Sequence, residues 1–260
     1  LSAYSFGAVM TGPDPVPILA FDEIDSTNAE ARRRADAGET GPLWLIARRQ
    51  TAGRGRRGRA WSTESGNLAA TLLVTTDKPA HEAAQATFVA ALAIADLFAT
   101  CVPESLVAIK WPNDVLIAGL KASGILIESG SRADGRLWLA IGCGLNLNHA
   151  PDGLERPATR IADHLRHDLA RAPTPEEAMA AFAPLFANRL AQWEHRGFPA
   201  VAEAWSARAL GLGQPCVARL ATETVEGVAE GLEPDGALRL RLASGELRRI
   251  TAGDVFFEGA

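Results

Sequence analysis

A chain of 260 residues with 47% hydrophobic and 22% charged side chains has ordinary globular composition, enough for one sizeable core and a smaller second unit. Its net charge of −5 argues against general nucleic-acid binding, which favours a basic domain or face, and no unbroken apolar run approaches the roughly 18 residues of a membrane span. The cysteines Cys101, Cys143 and Cys216 are far apart and form no CxxC pair, which speaks against a disulfide framework or a zinc site and fits a reducing cytoplasm.

Leu1–Thr11 carries no Lys or Arg and makes a poor signal peptide. Ile18–Phe21 reads as a short strand. Ser26 to Ala37 reads as a helix stopped by Gly38, with Thr27 and Glu30 at capping-box spacing. Leu43–Ala47 and Asn67–Thr75 are buried-type strands that flank a loop rich in Gly and Arg. His81–Thr100 is an Ala-rich helix long enough to cover a sheet. Leu106–Trp111 is a strand broken by Pro112, Val115–Ile117 and Gly124–Glu128 are strands joined by a bend at Gly119, and Leu137–Leu147 is another. Strands in succession with helices between some of them imply a mixed α+β layer. From Pro175 to Arg196, Met179, Phe182, Phe186, Leu190 and Trp193 recur at helical spacing and mark a core stripe; a second short helix holds Val201 and Trp205. After Gly211 five short strands follow, Val217–Leu220, Val225–Leu232, Ala237–Leu242, Leu247–Ile250 and Val255–Phe257, with turn signals at Pro234-Asp235-Gly236 and Ser244-Gly245. They read as a small β-barrel of about 45 residues.

Five segments carry the chemistry. In Gln50–Trp61, four arginines alternate with three glycines between Gly53 and Arg59. Glycines let backbone N–H groups approach a ligand, and guanidinium groups clamp phosphate or carboxylate. The GK[ST] ending of a Walker A loop is missing, and no helix follows as a dinucleotide fingerprint requires. Taken alone, the loop also reads as solvated or as an RNA-binding tract. Four like charges in six residues are expected to repel one another until an anion orders them. Lys110-Trp111-Pro112-Asn113-Asp114 has ordinary turn chemistry at a strand end. Lys121–Glu128 places one lysine before Gly124 at the mouth of an apolar strand, where a lone lysine is usually a solvated charge. Gly142 and Gly144 in Gly142–Asn148 imply a bulge or close approach of a ligand. Asp25-Ser26-Thr27-Asn28 is, at its plainest, a helix cap. His164 and His167 are three apart, but without further ligands they fit a solvated helix face better than a metal site.

In order and spacing, STN, QTAGRGRRGRxW, KWPND, KxxGILIE and GxGLN resemble the catalytic domain of biotin–protein ligases from about Phe21 to Asn148, and more weakly through the C-terminal barrel. The resemblance implies an α+β catalytic domain over 17–211, related to class II tRNA synthetases and lipoate ligases. It also implies an SH3-like barrel over 212–260, with 1–16 as an N-terminal extension. It places Ser26, Thr27, Asn28 and Gln50 around the biotin ureido ring, which offers one acceptor and two donors to hydroxyl and amide groups. Gly53, Arg54, Gly55 and Arg56 form the loop over biotin, and Gly124 lets the strand approach the ligand. Arg56 and Lys121 are the catalytic cations, near both the biotin carboxylate and the α-phosphate. Arg59, Trp61, Lys110, Asn113 and Asn146 fall on the nucleotide side. The cofactors are ATP and Mg²⁺. No residue is assigned as a resident metal ligand, although Asp114 is placed to help hold Mg²⁺. Arg49, where the family often has an aromatic residue, and Cys143 between two glycines are minor departures.

The implied activity joins biotin, through biotinoyl-5′-AMP, to a lysine of the biotin carboxyl carrier protein of acetyl-CoA carboxylase or a related carboxylase. The expected setting is cytoplasmic, without membrane or DNA, and family members are often homodimers. Alternatives are lipoate or octanoate ligation on the same fold, and a biotin-responsive regulator. Against the regulator, only about 25 residues precede Ser26, and Pro13, Pro15 and Pro17 are poor helix material.

Overall fold

Along the strand Leu43–Gln50, Leu43, Leu45 and Ala47 join one hydrophobic cluster while Trp44 and Ile46 join another. A strand sends alternate side chains to opposite faces, so a sheet with both faces covered is required. The structure, a computed structural model, describes residues 3–10, 15–152 and 157–257. Its main sheet comprises β1 (Ala3–Met10), β2 (Pro15–Ile24), β3 (Leu43–Gln50), β4 (Leu68–Thr76), β5 (Val107–Lys110), β6 (Asp114–Ile117), β7 (Leu120–Ser131) and β8 (Leu137–Leu145). They lie in the order β1-β2-β3-β4-β8-β7-β6-β5. Only β2 and β3 pair in parallel, and the helix α1 (Thr27–Asp36) supplies the crossover that a parallel pair needs.

The segment expected as an N-terminal extension contributes β1 to the sheet edge; residues 1–2 and 11–14 lie outside the described residues. The prolines do not prevent β2, because its pairing with β3 begins only at Ile18, beyond Pro15 and Pro17.

One face of the sheet is covered by α3 (Ala86–Cys101) and α4 (Pro175–Ser206). The single expected helix over His81–Thr100 is two pieces, a short α2 (Ala80–Ala83) and then α3. By length and composition, Ala80–Cys101 would suffice to cross a membrane, but most of it is buried inside the protein. Its apolarity is therefore that of a core helix between the sheet and α4. The expected stripe on α4 packs as drawn: Trp44 meets Phe182 and Phe186 at ring-centroid distances of 5.7 and 5.4 Å. A capping box of Thr174 and Glu177 starts α4, and Gly197, at φ 70°, breaks it before Val201 and Trp205.

The other face carries α1 over Phe21, Leu43, Leu45, Leu73, Trp138 and Ala140. Its N-cap is Ser26, whose Oγ accepts from the Ala29 amide, and not Thr27 as the capping-box spacing suggested. Glu30 turns instead to Arg33 and Arg34.

A five-stranded antiparallel sheet follows: β9 (Pro215–Arg219), β10 (Thr224–Leu232), β11 (Leu238–Arg241), β12 (Leu247–Ile250) and β13 (Asp254–Phe257). This is the SH3-like unit, with Gly236 and Gly245 at positive φ in the expected turns. It is keyed to the main body by Trp111 Nε1, which donates to the Gly236 carbonyl at 3.1 Å.

Candidate active site

Helix α1 covers only part of its face of the sheet. Along β8 the side chains toward α1 are Trp138 and Ala140, and the next two positions on that face are Gly142 and Gly144. In register beside Gly142 lies Thr71 of β4; beside Gly144 lie Ala69 and Gly124. The sheet therefore ends in a floor of small residues that α1 reaches only with its first turn. The β7–β8 pairing runs without a bulge from Ser123↔Leu145 to Ser131↔Leu137, so close approach explains these glycines. In this structure protein groups make that approach. A Cβ on Gly142 would collide with the Asn28 amide, and one on Gly144 with the Trp61 indole. Gly124, expected to admit a ligand, lies under the same ring, with Trp61 Cζ3 3.0 Å from the place of its missing Cβ.

At the α1 end of the floor, buried polar groups form a chain. The Thr27 amide donates to Gln50 Oε1 at 2.8 Å, and Gln50 Nε2 donates to Thr63 Oγ1 at 2.9 Å. The Thr71 hydroxyl lies 2.7 Å from both Thr27 Oγ1 and Asn28 Oδ1. Asn28 Nδ2 donates to the Leu126 carbonyl at 3.2 Å and to Glu128 Oε2 at 3.0 Å. Thr71, Thr63 and Glu128 received no role from the sequence. A threonine inside the apolar run Leu68–Val74, on the same face as Ala69 and Leu73, was the available signal for Thr71.

Ser26 is held from outside. Asp25 Oδ1 accepts from the Ser26 amide at 2.8 Å and Arg33 grips both Asp25 oxygens at 2.8 Å. The Arg33 hydrogen bonds hold the Asp25 carboxyl down at about 2. A carboxyl with a lowered folded-state pKa stabilises the fold above its ordinary value near 4, and that contribution is lost as pH falls through about 2. In urea titrations, wild type and Asp25→Asn should accordingly differ by a constant margin at neutral pH, a margin that closes between about pH 4 and 2. A pH-independent margin would mean that Arg33 does not sustain this cap.

At the other end stand two cations. Arg56 Nη1 donates to Asn113 Oδ1 at 3.1 Å, and Asn113 Nδ2 donates to the Ile125 carbonyl at 2.8 Å. Lys121 Nζ pairs with Asp114 Oδ1 at 2.7 Å and lies 5.6 Å from the Trp61 ring centroid. Neighbouring residues of one turn thus hold both cations. Burial draws the Arg56 guanidinium below the usual arginine value, against the attraction of Asp254 and Asp114. Among the described residues no group of three His, Cys, Asp or Glu side chains could hold a metal ion.

The remaining expected residues divide. Gly53 and Gly55 shape the loop through Trp61 N to Gly53 O at 2.9 Å and Gly55 N to Arg59 O at 2.7 Å. Arg54 Nη2 is 3.9 Å from Glu128 Oε1. Arg59 points away from the floor to Asp254 of β13, which Arg57 also reaches at 3.3 Å. Lys110 Nζ lies 5.8 Å from the Phe256 ring centroid, again toward the second sheet. Asn146 is 2% exposed and donates to the Thr159 carbonyl at 3.0 Å, anchoring the backbone beyond β8. A cleft of about 320 Å³ opens beside Arg56 and Asn113, between α2 and the Asp235–Ala237 turn, adjacent to the glycine floor rather than on it.

The loop's charge repulsion is thus offset partly by the protein's own carboxylates, contrary to the expectation that only an anion would do so. Asp254→Ala should speed tryptic cleavage after Arg57 and Arg59, while Asp254→Glu should restore resistance. Equal cleavage in all three proteins would show that Asp254 does not restrain the loop.

The sequence pattern of the Biotin/lipoate A/B protein ligase family matches residues 20–148, and that of the Biotin protein ligase C terminal domain matches residues 211–258. The biotin–[acetyl-CoA-carboxylase] ligase of Paracoccus denitrificans is 45% identical over 90% of this chain and 98% of its own length. The chain belongs to the biotin–protein ligase family. The bifunctional ligase/repressor BirA of Bacillus spizizenii is 31% identical to this ligase over 92% of the chain and 73% of its own length. A structure of the Aquifex aeolicus biotin protein ligase in complex with biotin and ATP shares its fold, at a TM-score of 0.74 and 22% identity over 93% of this chain and 99% of that one.

Proposed function

We propose that this ligase activates biotin with ATP and passes the acyl group to a lysine of the carrier protein of acetyl-CoA carboxylase. One observation carries the reading. A glycine floor has a chain of buried hydroxyl and amide groups at one end, and two cations, Arg56 and Lys121, gripped by Asn113 and Asp114, at the other. A cyclic urea offers donors and an acceptor that match Ser26, Thr27, Asn28 and Gln50. The dithiolane of lipoate offers neither, and would gain no hydrogen bond from that chain, which discriminates against it.

In the first step a biotin carboxylate oxygen attacks the α-phosphorus, a new P–O bond forms and pyrophosphate leaves. Two anions must meet, and Arg56 and Lys121 lower their repulsion and stabilise charge on the phosphoryl oxygens. In the second step the carrier lysine nitrogen attacks the acyl carbon, the C–O bond to AMP breaks and the amine loses a proton. The mixed anhydride is already activated, so no enzyme nucleophile is needed. The free cysteines suit this: Cys143 is fully enclosed and its thiol is pushed well above the usual range by burial. Gly53–Arg56 closes over biotin, while Arg59, Trp61, Lys110, Asn113 and Asn146 belong to the nucleotide side, the outer ones by moving from the contacts described above. Asp114, the carboxylate beside Lys121, would help to hold Mg²⁺, which would neutralise phosphate charge.

We assign residues 17–211, with β1 and the start of β2 added at the sheet edge, to the catalytic unit and 212–260 to the SH3-like unit, with a cytoplasmic setting and no specific DNA contact, in keeping with the net charge of −5. Incubation with biotin, Mg·ATP and a biotin carrier domain should give a single biotinylated lysine by mass spectrometry of the acceptor. Modification with lipoate in place of biotin, and none with biotin, would refute the assignment.

A further inference from the structure

We propose that Glu128 is a positioning residue that sets the orientation of the Asn28 amide and couples it to Arg54 of the glycine–arginine loop; this rests on the reading of the floor as a biotin site. Asn28 is 4% exposed and each end of its amide is engaged. Its Nδ2 faces two groups that only accept, the Leu126 carbonyl at 3.2 Å and the Glu128 carboxylate at 3.0 Å. Its Oδ1 therefore points to the Thr71 hydroxyl, 2.7 Å away. Reversing the amide would set its oxygen against both acceptors, whereas the Thr71 hydroxyl can accept as well as donate, so the Leu126 carbonyl and Glu128 are the groups that oppose reversal.

That orientation propagates. The Gln50 amide is fixed independently, because its Oε1 accepts the Thr27 amide and its Nε2 donates to Thr63. Between the two fixed amides lie the hydroxyls of Thr27 and Thr71. The Thr27 proton can be given to Gln50 Oε1 at 3.2 Å or shared with Thr71 at 2.7 Å. This adjustable hydroxyl between two oriented amides suits a ligand that brings both donors and an acceptor.

The second carboxylate oxygen of Glu128 reaches out of the floor toward Arg54, Oε1 to Nη2 3.9 Å. Both side chains are partly exposed, at 30% and 52%, so in water this attraction is weak and screened. It strengthens as a ligand excludes water from the floor. A single carboxylate then orients the floor amide and draws the loop down, so that occupation of the ureido end is communicated to the loop before nucleotide is involved.

The test uses the full chain with biotin, Mg·ATP and a carrier domain. Glu128→Ala should raise KM for biotin by about 10-fold or more while KM for ATP changes by no more than about twofold. Glu128→Gln keeps an acceptor for Asn28 and loses the charge. It should hold KM for biotin within about threefold; biotin alone should protect Arg54 of the wild type from trypsin, and Glu128→Gln should abolish that protection. In an Asn28→Ala background, Glu128→Ala should add little, since the two act through one another. An unchanged biotin KM in Glu128→Ala, equal rises in both KM values, or full protection in Glu128→Gln would overturn the role of Glu128. A wild-type chain that neither binds nor transfers biotin would overturn the underlying reading instead.

Discussion

Replacing Lys121 by alanine is expected to slow biotin-dependent pyrophosphate release by roughly 10- to 150-fold, because a charge-assisted hydrogen bond to a partly buried anion contributes about 1.5–3 kcal/mol. Transfer from supplied biotinoyl-AMP to the carrier should slow less, since the repulsion between carboxylate and phosphate has by then been overcome. Arg56→Ala should behave alike. Its half-buried guanidinium, destabilised by burial, donates to the neutral Asn113 amide, so an anion placed there regains what desolvation removed. Lys121 differs in already having Asp114 at 2.7 Å. Asp114→Asn should therefore leave the ammonium in place and change adenylation less than Lys121→Ala does. Rapid-quench measurement of the two half-reactions separates these outcomes, and equal losses in both steps would remove the adenylation-specific role of the cations.

Adding one methyl group at Gly142 is expected to be nearly as costly. The Cβ of Gly142→Ala would fall on the Asn28 amide, and the backbone there is locked between β4 and β7 by continuous pairing, so Asn28 must yield. Its displacement breaks the bonds to Thr71 and Glu128 and leaves buried polar atoms without partners, at about 1–3 kcal/mol each. KM for biotin should rise by about 10- to 100-fold with little change for ATP. Gly144→Ala should act on the opposite end, by lifting Trp61 from its seat, and quenching of its indole fluorescence by iodide should increase. Unaltered biotin kinetics in Gly142→Ala would mean that Asn28 is not placed by the floor.

The glycine pair shows both the reach of the sequence and where it stops. Two glycines in an apolar strand announce that something comes close. That the first visitors are Asn28 and Trp61 depends on the register of β4, β8 and β7, which no local pattern encodes. Alternation was enough to locate the five strands of the second unit, each within two or three residues, because its core face is regular. It was not enough for β1, which falls in the segment expected as an N-terminal extension and pairs antiparallel with β2. The restraint of Arg57 and Arg59 by Asp254 was illegible for a different reason. An isolated aspartate at the start of a short strand is ordinary, and only the docking of the second sheet brings it to a loop almost 200 positions earlier. Glu128 was legible as part of a motif and silent as to role, since its partner Asn28 is a hundred residues away in the chain.

Biotin-dependent exchange of labelled pyrophosphate into ATP, without any acceptor, tests whether this floor joins biotin to adenylate with Arg56 and Lys121 between the two anions. Exchange should require biotin, should not be supported by lipoate, and should fall by at least about 10-fold in Lys121→Ala. Exchange that proceeds without biotin, that lipoate supports equally, or that Lys121→Ala leaves intact would contradict this role of the floor.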